Sequence, residues 1–231
     1  MPTKEQVAAT AALVASFEAL TSSLAARAVG RLKIAFKAWL DGTLTTGEFE
    51  AVAADMLKVD VHGAYKAGSG WASMTLDKPA VGHIVPTEEK LAALDNAMHT
   101  LVFEEEVLDQ PEDDDPDAGE SSIVWDDDDT DTVSTETEVV LPPRMERLVA
   151  SEVVDAVQQS TVRAYDFDEA VVGYRRGTDS DPCELCVWLV KAHLDPAGIG
   201  YVYPTGKSFH RHPGCQCAPI PVFNQEGEAN D

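Results

Sequence analysis

Basic residues are scarce. The chain carries 17 Lys and Arg against 41 Asp and Glu, a formal net charge of -24 over 231 residues. Phosphate contacts need clustered cations, so this balance argues against a general nucleic-acid-binding surface, and no direct nucleic-acid binding is expected. The imbalance is local. Between Glu104 and Glu138 there are 17 Asp or Glu and not one Lys or Arg. The rest of the chain is only mildly acidic. Cysteine is scarcer still: there are four, and none precedes Cys183. A disulfide scaffold suits a small secreted chain that cannot build a core. This chain is 44% hydrophobic and long enough to build one. No apolar run is read as long enough to span a bilayer, and no charged-then-apolar leader precedes a small-residue cleavage site. The expectation is a soluble protein, made and used without secretion and without a membrane partner.

Helical periodicity fills the first part of the chain. Thr3-Lys4-Glu5-Gln6 has the form of a capping box. Val7, Ala11, Val14, Phe17, Leu20 and Leu24 then recur at three- and four-residue spacing, an amphipathic stripe. Val29, Leu32, Phe36, Trp39 and Leu40 form a second periodic set, stopped near Gly42. A second capping box at Thr45 and Glu48 opens a third helix along Phe49, Val52, Ala53, Met56, Leu57 and Val59. Pro86-Thr87-Glu88-Glu89 opens a fourth, with acid in its first turn and a face of Leu91, Leu94, Met98, Leu101 and Val102. The run Ala67-Gly68-Ser69-Gly70-Trp71 lacks the strand and glycine spacing of a phosphate-binding loop, and reads as a plain loop. Arg27, Arg31, Lys33 and Lys37 concentrate positive charge on the second helix. They form either a solvated face or a contact with acid, in this chain or a partner.

Residues 104–141 combine Asp113-Asp114-Asp115 and Asp126-Asp127-Asp128-Asp129 with Pro, Gly, Ser and Thr. Such a segment cannot bury enough apolar surface to offset its ordering entropy, and reads as an acidic disordered linker. Ile123-Val124-Trp125 is an apolar island within it, of the kind that docks on a partner. The Asp runs lack the ligand spacing, central Gly and terminal Glu of a calcium loop. Order resumes at Pro142-Pro143 with a helix to about Tyr165, carrying Leu148, Val149, Val153, Ala156, Val157 and Ala164 on its buried side. Ala170 to Arg175 reads as a strand, Val187 to Leu194 as a short helix, and Gly200 to Tyr203 as a second strand. Ala218 to Phe223 reads as a third, confined to an edge by Pro219 and Pro221. The fold class is therefore α+β: a helical domain over 1–103, the acidic linker over 104–141, a small helix-plus-strands module over 142–223, and a flexible tail over 224–231.

All four cysteines lie in that last module. Cys183-x-x-Cys186 is followed by His210-Arg211-His212-Pro213-Gly214-Cys215-Gln216-Cys217. Two thiols spaced to grip one ion, then a His/Cys cluster, are the pattern of a structural zinc site. A redox CxxC would leave Cys215 and Cys217 unexplained. Cys183 and Cys186 make the first half-site. The second has more candidates than places: His212, Cys215 and Cys217. The favoured set is Cys183, Cys186, His212 and Cys215, with Cys217 as the alternative fourth ligand and His210 outside the site. Cys215 and Cys217 converge on one ion only if Pro213-Gly214 forms a turn. Four protein ligands leave no place for water or substrate, so such a site is structural. No catalytic residue and no enzymatic activity are expected.

At these residues the chain resembles the phage Mu F-like minor head proteins, the phage head morphogenesis family. The resembling elements are the helix Arg147-Leu148-Val149-Ala150-Ser151-Glu152, the strand Val172-Gly173-Tyr174-Arg175-Arg176, the knuckle Cys183-Glu184-Leu185-Cys186 and the terminal motif His212-Pro213-Gly214-Cys215-Gln216-Cys217. They span roughly residues 144–222. Gln216 departs from the Arg usual in the family, which removes a charge. The resemblance implies a minor capsid protein of a tailed phage, acting in head assembly or in DNA packaging or ejection. It implies partners among the portal, major capsid and scaffold proteins. It places the protein in the virion, inside the capsid near the portal, and in the host cytoplasm during assembly. No toxin or ADP-ribosyltransferase domain of the kind some members carry is expected after Phe223.

Two other classes compete. A zinc-knuckle nuclease needs a catalytic His and a further metal ligand beside the zinc, and here His212 is assigned to the structural metal while His193 has no paired ligand. A hydrolase using Cys217 and His210 has no supporting pattern. A zinc-dependent adaptor whose acidic tract recruits basic partners fits the composition as well.

Overall fold

The structure, a computed structural model, describes residues 3–79, 84–108, 139–178, 182–194, 200–212 and 214–224. The elements in order are α1 (Lys4–Leu40), α2 (Thr46–Leu76), α3 (Glu88–Leu108), α4 (Pro143–Asp166), β1 (Val171–Gly177), α5 (Glu184–Val190), a 3-10 turn (Ala192–Leu194), β2 (Tyr203–Pro204) and β3 (Ala218–Phe223). The chain is mostly helical, with one small antiparallel sheet at its C-terminal end.

Both expected capping boxes form. Thr3 Oγ1 accepts from the Gln6 amide at 3.2 Å, and the Thr3 amide donates to Gln6 Oε1 at 2.8 Å. Thr45 and Glu48 do the same at 3.3 and 2.9 Å. The two periodic sets between them are one helix, not two. Phe17, Thr21, Ala28, Leu32, Ala35 and Phe36 are buried along a single stripe of α1, and no proline interrupts it. Gly30 lies exposed in its middle, where it lowers helix propensity without breaking the ladder. The absence of a bilayer-length apolar run also needs correcting. Helix α1 contains an 18-residue window of mean hydropathy 1.5, of which 11% is buried. It is long and apolar enough to cross a membrane by length and composition. The small apolar Ala side chains spread along its first turns raise the mean without forming a continuous run of large residues.

The Ala67–Trp71 run is not a loop. It belongs to α2, where Gly68 faces α4. A Cβ there would stand 2.1 Å from Ser160 Oγ and 2.4 Å from the Val157 carbonyl oxygen. The glycine lets two helices approach at backbone distance, and Thr161 Oγ1 donates to its carbonyl at 3.1 Å. Beside it, Trp71 packs edge-on against Phe17 of α1 with centroids 4.9 Å apart. At the other end of the pair, Phe36, Trp39 and Phe49 form an aromatic cluster.

Helix α4 is the axis of the molecule. Met145, Val149, Val153, Val157, Thr161 and Tyr165 are buried on a helix that α1, α2 and α3 cover on some sides and the sheet covers on others. The sequence left open whether the N-terminal helices and the C-terminal module pack together. They share one core, in which Phe17 and Leu57 belong with Val157, Tyr174 and Cys217.

The sheet has the order β2-β1-β3, all pairs antiparallel. Strand β3 lies at an edge, as its two prolines require. The second strand is shorter and later than Gly200–Tyr203 suggests, only Tyr203–Pro204. The short helix also starts earlier than expected. It begins after Cys183, because that sulfur caps it, and stops where Lys191 turns left-handed (φ 50). Residues 192–194 form the 3-10 turn. At the acidic linker, helix α3 continues through Leu108, four residues beyond Glu104, and Leu141 is already buried before Pro142. The remainder of that linker, with Ile123-Val124-Trp125 and both Asp runs, lies outside the described residues, as does the tail from 225.

Two ion pairs use the expected basic face: Arg31 meets Asp60 of α2, and Lys37 meets Asp41 at 2.8 Å. A denser network ties three elements together. Lys90 of α3 pairs with Glu152 and Asp155 of α4, the latter at 3.0 Å, and Arg211 reaches Asp155 at 2.6 Å. Burial pushes the Asp155 carboxyl up, but the Arg211 and Lys90 charges prevail and hold it below the usual range. A depressed folded value means that the unfolded chain takes up the proton first. The contribution of this network is therefore complete above the ordinary Asp value of about 3.9 and is lost as pH falls through the lower folded value. Asp155→Asn should cost on the order of 2 kcal/mol at neutral pH and flatten the acid limb of the stability curve, as urea titrations at several pH values would read.

Candidate metal centre

Strand β1 and helix α4 carry the frame, and two loops bring the donors. Cys183 ends the β1–α5 connection as the N-cap of α5, and the Cys186 amide donates to its sulfur at 3.4 Å. That bond is the mechanical reason for the x-x spacing: one helical turn puts both sulfurs on the same side. From the other side, His212 Nε2 lies 3.0 Å from Cys183 Sγ and 3.1 Å from Cys186 Sγ. Cys215 Sγ lies 3.6 Å from Cys186 Sγ. The expected turn forms: the Cys215 amide donates to the His212 carbonyl at 3.1 Å and Gly214 is left-handed at φ 82. Glycine is the residue that takes this conformation without strain. Pro213 itself is outside the described residues.

All five candidate ligands are thus close, in two overlapping groups. Cys183, Cys186 and His212 form one, and Cys186, Cys215 and Cys217 form the other, with ligand atoms in each within 4.8 Å of one another. Either group could hold a metal ion. Cys186 belongs to both and is 1% exposed. Cys215 and Cys217 are buried as well, while Cys183 is exposed. His210 belongs to neither group and its side chain is exposed.

The electrostatics single out one sulfur. Cys217, hydrogen-bonded to Cys215, and the nearby Arg176 guanidinium draw the Cys215 thiol down to about 4 against its burial. Cys217 is pushed up by that same shared hydrogen bond and by burial. Burial pushes Cys186 up to about 12. Stacked thiols with such opposed tendencies are the environment in which a cation displaces protons.

The loop that presents His212, Cys215 and Cys217 is fastened by side chains from α4 and β1. Gln158 Nε2 donates to the carbonyls of Cys215 (3.0 Å) and Cys217 (2.9 Å). Gln159 Nε2 donates to the Phe209 carbonyl at 3.0 Å. Tyr174 Oη donates to the Ser208 carbonyl and Tyr165 Oη to the Pro219 carbonyl, both at 3.0 Å. Gln216, where the resembled family has Arg, turns to this chain's own α1, 3.2 Å from Ser22 Oγ. Nothing in the cysteine spacing pointed to Gln158. The available signal was a polar residue on the apolar stripe of α4, one residue after Val157 and three before Thr161. Gln158→Leu keeps the volume and leaves two buried carbonyls without their donor. It should cost about 2–3 kcal/mol in chemical denaturation.

Two open clefts, of about 360 and 380 Å³, lie elsewhere on the molecule. The first is lined by Leu76, Phe167 and Asp168, the second by Tyr65, Lys90, Asp155 and Arg163, and neither is lined by the cysteines or His212. Helix α5 turns Leu185, Val187 and Trp188 outward, with Trp188 61% exposed. Comparison with protein-family models, with curated proteins and with solved structures finds no match.

Proposed function

We propose that the Cys/His cluster is a structural zinc site and that the chain is a minor capsid protein of phage head assembly. The observation that carries the metal reading is the convergence of His212 and Cys215, 26 and 29 residues further along the chain, on the buried sulfur of Cys186. The donor chemistry fits zinc. Soft thiolates with one imidazole suit a tetrahedral ion, and zinc–sulfur bonds of ~2.3 Å set neighbouring sulfurs roughly 3.8 Å apart. The Cys186–Cys215 separation of 3.6 Å is close to that and far from a disulfide's ~2.05 Å. Cys183, Cys186, His212 and Cys215 would hold the ion, and Cys217 is the alternative to His212. Bound zinc would supply cross-linking alone: four protein ligands leave no position for a reacting group.

The function rests on the resemblance of this module to the Mu F-like head proteins. Two features support it. The helix, strand, knuckle and terminal His/Cys loop follow the resembled order. The outward face of α5 around Trp188 suits contact with another protein. Its partners are then the portal, major capsid or scaffold protein, and it resides inside the head. The test is particle composition. The chain should be present in few copies in purified heads and co-purify with the portal protein. Heads devoid of it, with no retention by portal or capsid protein, would refute the assignment and favour the adaptor reading.

A further inference from the structure

Arg176 is a buried cation in the wrong company. Its side chain leaves β1 next to the metal centre, and the residue is 4% exposed. Its Nη1 points at Cys215 Sγ, 3.4 Å away, and its Nη2 donates to the His210 carbonyl. Its guanidinium carbon lies 4.2 Å from the centre of the Phe209 ring. Cys217 is within hydrogen-bonding reach, and Cys186 is near enough to act on its charge. Nε has no hydrogen-bond partner among the described residues. None of these neighbours is a carboxylate. A buried guanidinium without an anion is costly, and the carbonyl and the ring offset only part of that cost. The negative groups within reach are cysteine sulfurs, and they are negative when they ligate a metal.

We propose that Arg176 is the counter-ion of the metal–thiolate cluster, a positioning residue that neutralises its charge and holds Cys215 in place. The inference rests on the zinc reading above and deepens it. Three thiolates and a neutral imidazole around a divalent ion leave one net negative charge, which one arginine cancels. Four thiolates leave two, and one would remain buried and unpaired. Arg176 thereby favours His212 over Cys217 as the fourth ligand. Its position on β1 also places the counter-charge on the most tightly held strand of the sheet, paired on both sides. The ligand loop thus docks against a fixed charge.

The test uses the full chain and zinc alone, with affinity read by competition against a chromophoric chelator. Arg176→Met keeps the stem and removes the charge, and zinc affinity should fall by about 10–100-fold, the range for residues that support metal ligands. Arg176→Lys keeps the charge and loses the fork, and should stay within about tenfold of the parent. The rise in Tm on adding zinc should shrink in the Met variant and persist in the Lys variant. Circular dichroism establishes that each variant is folded, and Arg176→Gln replaces the Met variant if that one is not. Unchanged affinity in the neutral variant overturns the proposal. So does an equal loss in the neutral and Lys variants, which would make Arg176 a packing residue only. If the parent chain binds no zinc, the site reading itself fails and this inference with it.

Discussion

Cys186→Ser should weaken zinc binding by about two to three decades and loosen the C-terminal loops. Structural zinc sites contribute about 10–16 kcal/mol through four ligands, roughly 3–4 kcal/mol each, so losing one removes two to three decades of affinity. Cys186 is the position where the loss is greatest, because it is the sulfur both donor groups share. It is also buried, so serine would leave a poor ligand and a desolvated hydroxyl there. His212→Ala should approach the same loss. Cys217→Ser should stay within about tenfold of the parent, since Cys217 faces Cys215 and Arg176 rather than Cys183. Zinc titration of the three variants side by side identifies the ligand set. A Cys217 variant as weak as the Cys186 variant would move His212 out of it.

Gly68→Ala should destabilise the protein by about 2–3 kcal/mol, the reverse of what alanine does in an ordinary helix. The added Cβ would sit 2.4 Å from the Val157 carbonyl oxygen, which is backbone and cannot rotate away. Helices α2 and α4 would have to separate, and their contact joins the N-terminal helices to the cysteine-bearing module. In a chain of this size that loss corresponds to a fall in Tm of roughly 5–10 °C. Two glycines of the same helix are the control. At Gly63 and Gly70 an added methyl group would meet nothing within 4 Å, so alanine there should raise stability by up to about 1 kcal/mol each. Thermal melts of the three variants read opposite signs if the close approach is real. Stabilisation at all three positions would mean that α2 and α4 do not pack as described.

What the sequence made legible followed from local rules. The capping boxes at Thr3 and Thr45, the helix over 143–166 and the edge strand with Pro219 and Pro221 are decided within a few residues of themselves. The cysteines were legible because thiol spacing is set by one helical turn and one tight turn. Gly68 reads as a loop residue because its meaning lies about 90 residues away, in Ser160 and Val157. By itself Gly-Ser-Gly reads as a break, and only the partner helix turns the missing Cβ into a packing surface. Trp39 and Leu40 read as the end of a second helix for a similar reason: periodicity shows a face but not whether a helix continues through a glycine such as Gly30. The roles of Gln158 and Arg176 carry no local signal, because a buried polar group is explained by its partners, and theirs come from the loop at 208–217. The distance between the two donor groups and their shared sulfur was also invisible, since it depends on how the ligand loop docks on α4.

The most direct measurement is the native mass of the purified full-length chain before and after a strong chelator. One zinc per chain is the expected result, with loss of C-terminal structure when the metal is removed. A metal-free mass lower by four hydrogens would mean two disulfides among Cys183, Cys186, Cys215 and Cys217, and would contradict the metal centre outright.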